Sequence, residues 1–139
     1  DYVEAMWLML QQEQPEDFVI ATGITTRIRD FISMAFAEVG IELRFEGSGD
    51  QEIGVINACN GSYAVPVGTA VVKVDPQYYR PTEVDLLIGD ATKAKDKLGW
   101  VPKYSLADMV KEMVESDLRL FEKQQFLKNN GYDIRNEFE

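Results

Sequence analysis

Apolar residues recur along this chain with two periods, and the switching between them predicts interleaved helices and strands. Val3, Met6, Trp7 and Leu10 fall at i, i+3, i+4 and i+7, one face of a helix over residues 2–13 with Asp1 at its N-cap position. Gln14-Pro15-Glu16 interrupts that period. Phe18 to Ala21 is a short continuous apolar run bounded by Gly23, the pattern of a buried strand. Thr25 and Thr26 lead into a second helical face of Ile28, Phe31, Ile32, Ala35, Phe36 and Val39, stopped at Gly40. Leu43-Arg44-Phe45 alternates as a strand does. Residues 46–68, rich in Gly, Asn and Ser, predict an irregular loop with one strand near Gly54 to Ile56. Val71, Val72 and Val74 predict a further strand, and Val84 to Gly89 an extended segment. Asp90 stands where it would cap a short helix over 91–98 that ends at Gly99. Ser105 with Asp108 opens the longest helix, running through Leu106, Met109, Val110, Met113, Leu118 and Phe121 to about residue 127.

This order of elements gives an α/β chain, and 139 residues suffice for one ordinary core. A strand of the Phe18–Ala21 type normally has neighbours on both sides, so residues 1–25 are expected to continue a larger sheet. Residues 26–128 then form an α/β lobe, and the polar residues 129–139 a loosely held tail.

Charge and composition narrow the partners. Twenty-four acidic against 14 basic residues leave a net charge of −10 with no basic tract, a poor match to nucleic acid or to an anionic membrane surface. An anionic ligand must be held by a few local cations. The chain has no histidine, which excludes Ser-His-Asp triads and HExxH zinc sites within this stretch. Its single cysteine, Cys59, excludes internal disulfides and multi-cysteine zinc sites, and a thiol without a role is the expectation. No metal site is expected. No apolar run approaches the ~18 residues of a membrane span. The run from Ala5 to Leu10 follows acidic residues and does not read as a signal peptide. Asn60-Gly61-Ser62 matches a glycosylation sequon with nothing else to argue for secretion, so a cytoplasmic location is expected.

The chemistry concentrates in Tyr78-Tyr79-Arg80-Pro81-Thr82-Glu83-Val84-Asp85. Arg80 offers a planar fork of donors suited to phosphate oxygens, and Glu83 an acceptor pair suited to the vicinal hydroxyls of a ribose. Pro81 restricts the backbone between them. An Arg–Glu ion pair at i, i+3 closing a turn accounts for the same residues, and residue chemistry alone favours that simpler account. Other motifs are missing. Gly47-Ser48-Gly49 has Glu52 at the third glycine position of a dinucleotide fingerprint and no helical pattern after it. No tyrosine is followed four residues later by lysine. Scattered carboxylates such as Glu42, Glu46, Asp85 and Asp90 carry no acid–base signal without spatial information.

Four blocks nonetheless occur in a telling order: Asp1-Tyr2-Val3-Glu4-Ala5-Met6-Trp7, Asp17-Phe18-Val19-Ile20-Ala21-Thr22-Gly23, the Tyr78–Asp85 block, and Lys93-Ala94-Lys95-Asp96-Lys97-Leu98-Gly99-Trp100-Val101-Pro102. Together they closely resemble the C-terminal portion of the GDP-mannose 4,6-dehydratase family of extended short-chain dehydrogenase/reductases, from Asp1 to about Tyr132. Leu-Gly-Trp-x-Pro is shared widely among nucleotide-sugar enzymes; the Arg-Pro-Thr-Glu-Val-Asp block joined to Val-Ile-Ala-Thr-Gly is far more specific. The resemblance implies an α/β substrate-binding lobe whose N-terminal Rossmann domain is absent from this chain. It implies conversion of GDP-mannose to GDP-4-dehydro-6-deoxymannose, on the way to GDP-fucose and related sugars, with NADP and every catalytic residue in the missing domain. It implies Arg80 as the grip on the GDP diphosphate and Glu83 as the ribose-hydroxyl acceptor, reversing the preference above. Thr22, Gly23 and Arg27 are further candidates to line the sugar-nucleotide cleft, although a strand-to-helix turn with a surface arginine explains them as well. GDP-mannose, the N-terminal domain and further copies of the enzyme are the implied partners. Two alternatives stand beside this: an inactive nucleotide-sugar-binding or assembly module, and a sister epimerase or reductase on the same scaffold.

Overall fold

The computed structural model describes residues 1–80, 82 and 87–132, and within them an antiparallel sheet and four helices form two adjoining packing units. Helix α1 spans Tyr2–Leu10. Its buried residue is Ala5, whereas Val3, Met6, Trp7 and Leu10 are 79, 61, 60 and 82% exposed. The helix thus turns a different face inward from its most apolar one. Ala5 packs with Ala94, Leu98 and Trp100, and Leu8 and Met9 flank that cluster. Asp1 occupies the N-cap position, but its side chain does not cap the helix. Its Oδ2 instead accepts hydrogen bonds from the backbone N–H groups of Lys103 and Tyr104, at 3.1 and 3.2 Å.

The apolar run Phe18–Ala21 is not a strand: among the described residues it pairs with no ladder. Phe18 and Ile20 turn toward the Ala5–Trp100 cluster while Val19, between them, is 51% exposed. Side chains rather than backbone hold this segment. Lys93 Nζ donates to the Asp17 carbonyl at 2.8 Å and lies 4.9 Å from the centre of the Phe18 ring. Glu16 bridges Lys93 at 3.0 Å and Lys97 at 2.6 Å. The two lysines are four apart on helix α3 (Thr92–Leu98), so they share a face.

Hydrogen bonding from Lys97, then from Lys93, holds the Glu16 carboxyl below its ordinary value. A carboxylate depressed on folding adds stability that is full above the unfolded value, near 4.5, and lost as pH falls through the lower folded one. Acidification from about pH 6 to about pH 3 should therefore loosen residues 16–21 from α3, read as a shift of the Phe18 ring protons in NMR. Glu16→Gln should flatten that pH dependence. A parallel pH response in the variant would remove Glu16 as its cause.

The second unit begins with helix α2, Ile28–Glu38, whose residues 31–36 are half-buried as the spacing predicts, with Ile28 left 74% exposed. Strands β1 (Ile41–Glu46), β2 (Ile53–Cys59) and β3 (Ala70–Lys73) follow as an antiparallel meander in the order β1-β2-β3. Register runs from Ile41 opposite Cys59 to Glu46 opposite Ile53, with an irregularity between Glu42 and Leu43. β2 is longer than the Gly54–Ile56 segment expected within the loop, because pairing with β1 carries weak strand formers such as Ala58 into the ladder. Ile41, Val55 and Ile56 are buried in this unit. Helix α2 packs on β1 and on the last helix, α4 (Leu106–Asn129), where Val110 is also buried.

Helix termini follow the sequence closely. Ser105 and Asp108 form a reciprocal capping box, Ser105 Oγ accepting from Asp108 N at 3.1 Å and Asp108 Oδ2 accepting from Ser105 N at 3.2 Å. Gly99 ends α3 in the left-handed conformation. Asp90 acts one residue outside the N-cap of that helix, accepting from Thr92 N and Thr92 Oγ1 at 2.9 and 2.5 Å. Residues 84–86 of the expected Val84–Gly89 extended segment, and residues 133–139 of the polar tail, lie outside the described residues.

Candidate functional site

Arg80 is delivered by a short, well-defined turn at the end of the sheet. β3 stops at Lys73, and Asp75-Pro76-Gln77-Tyr78 reverses the chain, with Tyr78 N donating to Asp75 O at 3.0 Å. Asp75 Oδ1 accepts from Gln77 N at 2.9 Å, and Pro76 presets the backbone of the second turn position. Tyr79 and Arg80 follow, both exposed. Arg80 forms no ion pair with another described residue. Glu83, its expected companion, lies outside the described residues, as do Pro81 and Asp85.

The strand leading into this turn also lines an open concavity of about 420 Å³ between the start of α2 and the sheet. That volume falls within the ordinary range for small-ligand sites. Ile32, Phe45, Val72 and Val74 supply apolar wall; Arg27, Arg29 and Lys73 supply cations. Arg29 is already engaged, pairing with Glu52 at 2.5 Å and lying 5.7 Å from the centre of the Phe45 ring. Neither Arg27 nor Lys73 forms an ion pair among the described residues. In a chain of net charge −10, this gathers positive charge at one apolar-walled surface.

Thr22 and Gly23, grouped with Arg27 in the sequence reading, line a separate and smaller concavity of about 220 Å³, with Asp90, Lys95 and Trp100. The Thr92 hydroxyl, then the Thr92 backbone N–H, holds the Asp90 carboxyl below its ordinary value. Sequence reasoning missed Arg29, Glu52 and Lys73. The one available signal was helical spacing, since Arg29 stands three residues before Ile32 at the start of an amphipathic helix. Among the described residues no three His, Cys, Asp or Glu side chains gather as a metal site, and no helix is long and apolar enough to cross a membrane.

Comparison with known proteins identifies the scaffold. The family model described as GDP-mannose 4,6 dehydratase matches residues 1–113. The GDP-mannose 4,6-dehydratase of Yersinia enterocolitica is 50% identical over 136 residues, covering 96% of this chain and 37% of that protein. One from Vibrio cholerae is 48% identical over the same coverage. The human GDP-mannose 4,6 dehydratase is 48% identical over 120 residues, 86% of this chain and 30% of its own length. The chain spans about a third of the curated relatives it matches. By its family match and by these relatives, the chain belongs to the GDP-mannose 4,6-dehydratase family.

Proposed function

We propose that this chain is the GDP-sugar-binding lobe of an NADP-dependent GDP-mannose 4,6-dehydratase, an extended short-chain dehydrogenase/reductase that forms GDP-4-dehydro-6-deoxymannose. The observation that carries this is the similarity covering 96% of the chain to relatives bearing that name. In this reading Arg80 grips the diphosphate and Glu83 accepts from the ribose hydroxyls. The cationic, apolar-walled cleft at the start of α2 supports a site for the rest of the nucleotide. Residues 26–128 are the lobe, and residues 1–25 complete a Rossmann domain that precedes them in the whole enzyme. The exposed apolar face of α1 and the unpaired backbone at Phe18–Ala21 support that division. The enzyme is cytoplasmic and homo-oligomeric, and it serves deoxyhexose synthesis.

Among the described residues, the glycine-rich turn does not fit an NADP site. Gly47-Ser48-Gly49 follows a strand but opens only the single 3-10 turn Gly49–Gln51, not an α-helix whose N-terminus could face a pyrophosphate. NADP and the reacting groups therefore belong to the preceding domain, and this chain supplies grip.

Calorimetric titration with GDP tests the assignment. The chain should bind GDP and show no turnover of GDP-mannose with NADP. Arg80→Ala should weaken GDP binding by about 1.5–3 kcal/mol, the range for hydrogen bonds to charged groups. An unchanged affinity would return Arg80 to a purely structural role.

A further inference from the structure

The glycine-rich turn that fails as a dinucleotide site has a different neighbour. Gly49 lies against the side chain of Tyr79: a Cβ added at Gly49 would stand 3.1 Å from Tyr79 Oη and 3.7 Å from its Cζ. Gly49 holds φ +61°, in the left-handed region, so both its backbone and its missing side chain suit this approach. Tyr79 is 42% exposed, against 76% for Tyr78 beside it. The chain running up to Arg80 is therefore held twice, first by the Asp75–Tyr78 turn and then by Tyr79 resting on Gly49.

We infer that Tyr79 is a positioning residue for Arg80, its phenol end resting on Gly49 so that the arginine leaves a fixed backbone. This rests on the reading of Arg80 as the diphosphate grip. An arginine side chain loses much rotamer freedom on binding, and a mobile backbone beneath it would add to that loss. Seating the preceding residue removes the backbone share before the ligand arrives.

GDP titration of a double-mutant cycle separates positioning from contact. Tyr79→Ala should weaken GDP binding roughly tenfold, the lower end for a hydrogen bond to a charged group. In the Arg80→Ala background the same change should have no further effect. Tyr79→Phe, which keeps the ring but removes the Oη nearest Gly49, should weaken GDP binding less than Tyr79→Ala does. Gly49→Val should reproduce the loss by occupying the seat. Gly68→Val should not, since Gly68 carries a comparable φ of +86° with nothing within 4 Å of its Cβ position. Unchanged GDP affinity in Tyr79→Ala overturns the inference. So does an equal loss with and without Arg80, which would make Tyr79 a direct ligand contact. A normal affinity in Arg80→Ala itself would instead remove the diphosphate reading.

Discussion

Replacing Trp100 with alanine is expected to cost about 3–5 kcal/mol, the range for removing a large buried aromatic side chain. Against a total stability of roughly 5–15 kcal/mol for a domain, that is enough to unfold much of the population. Trp100 is 3% exposed and is the largest side chain in a small cluster completed by Ala5, Ala94 and Leu98. Leu8, Met9, Phe18 and Ile20 pack against the same cluster, so removing the ring costs contacts on several sides. Trp100 Nε1 also donates to Asp1 O at 3.0 Å, but that carbonyl keeps its helical bond from Ala5 N at 3.0 Å. The lost packing, not the lost hydrogen bond, therefore dominates. Urea unfolding followed by far-UV circular dichroism measures the change. Fluorescence distinguishes the two tryptophans, because Trp7 is 60% exposed and should respond little. A Trp100→Ala midpoint equal to the parent's would mean that α1 and α3 are held together by other contacts.

Ile56→Ala is expected to cost about 2–5 kcal/mol, and Ile56→Val only about 0.5–1.5. Ile56 is fully buried at the middle of the central strand. Its backbone is committed as well, N–H donating to Thr69 O at 3.0 Å and carbonyl accepting from Gly68 N at 2.8 Å. Truncation leaves those bonds in place, so the measured loss reports the side chain alone. The same urea titration reads it, and a slope unchanged from the parent's would show that the two folded states bury similar surface. A loss no larger for alanine than for valine would contradict the buried environment of the two γ carbons that valine keeps and alanine lacks.

Local signals were legible wherever a short stretch of chain satisfies its own backbone. The Ser105–Asp108 box and the Gly99 stop lie where the residue types require them, because those hydrogen bonds span only three or four residues. The Phe18–Ala21 run was misread for the complementary reason. Apolarity reports that a segment is buried against something, and here two of its side chains meet α3 and Trp100 while no described strand flanks its backbone. The C-terminal half of β2 was missed because Ala58 and Cys59 take their strand conformation from pairing with Glu42 and Ile41 of β1. On α1, the amphipathic pattern located a helix but not its inward side, since a small residue, Ala5, permits the closest approach of α3.

By itself the sequence determined the four helices and their order with the three sheet strands, the Ser105–Asp108 and Gly99 caps, the acidic balance, the absence of histidine chemistry and the family resemblance centred on Arg80. Each is written in residue identity over short spans. Only the tertiary structure decided that Arg27 and Arg29 at the start of α2, Phe45 of β1, Glu52 just before β2 and Lys73 of β3 share a single cleft. It alone brought Gly49 beneath Tyr79, thirty residues away in the chain. Such meetings depend on how strands register and how α2 lies across them, and local propensity carries no information about either.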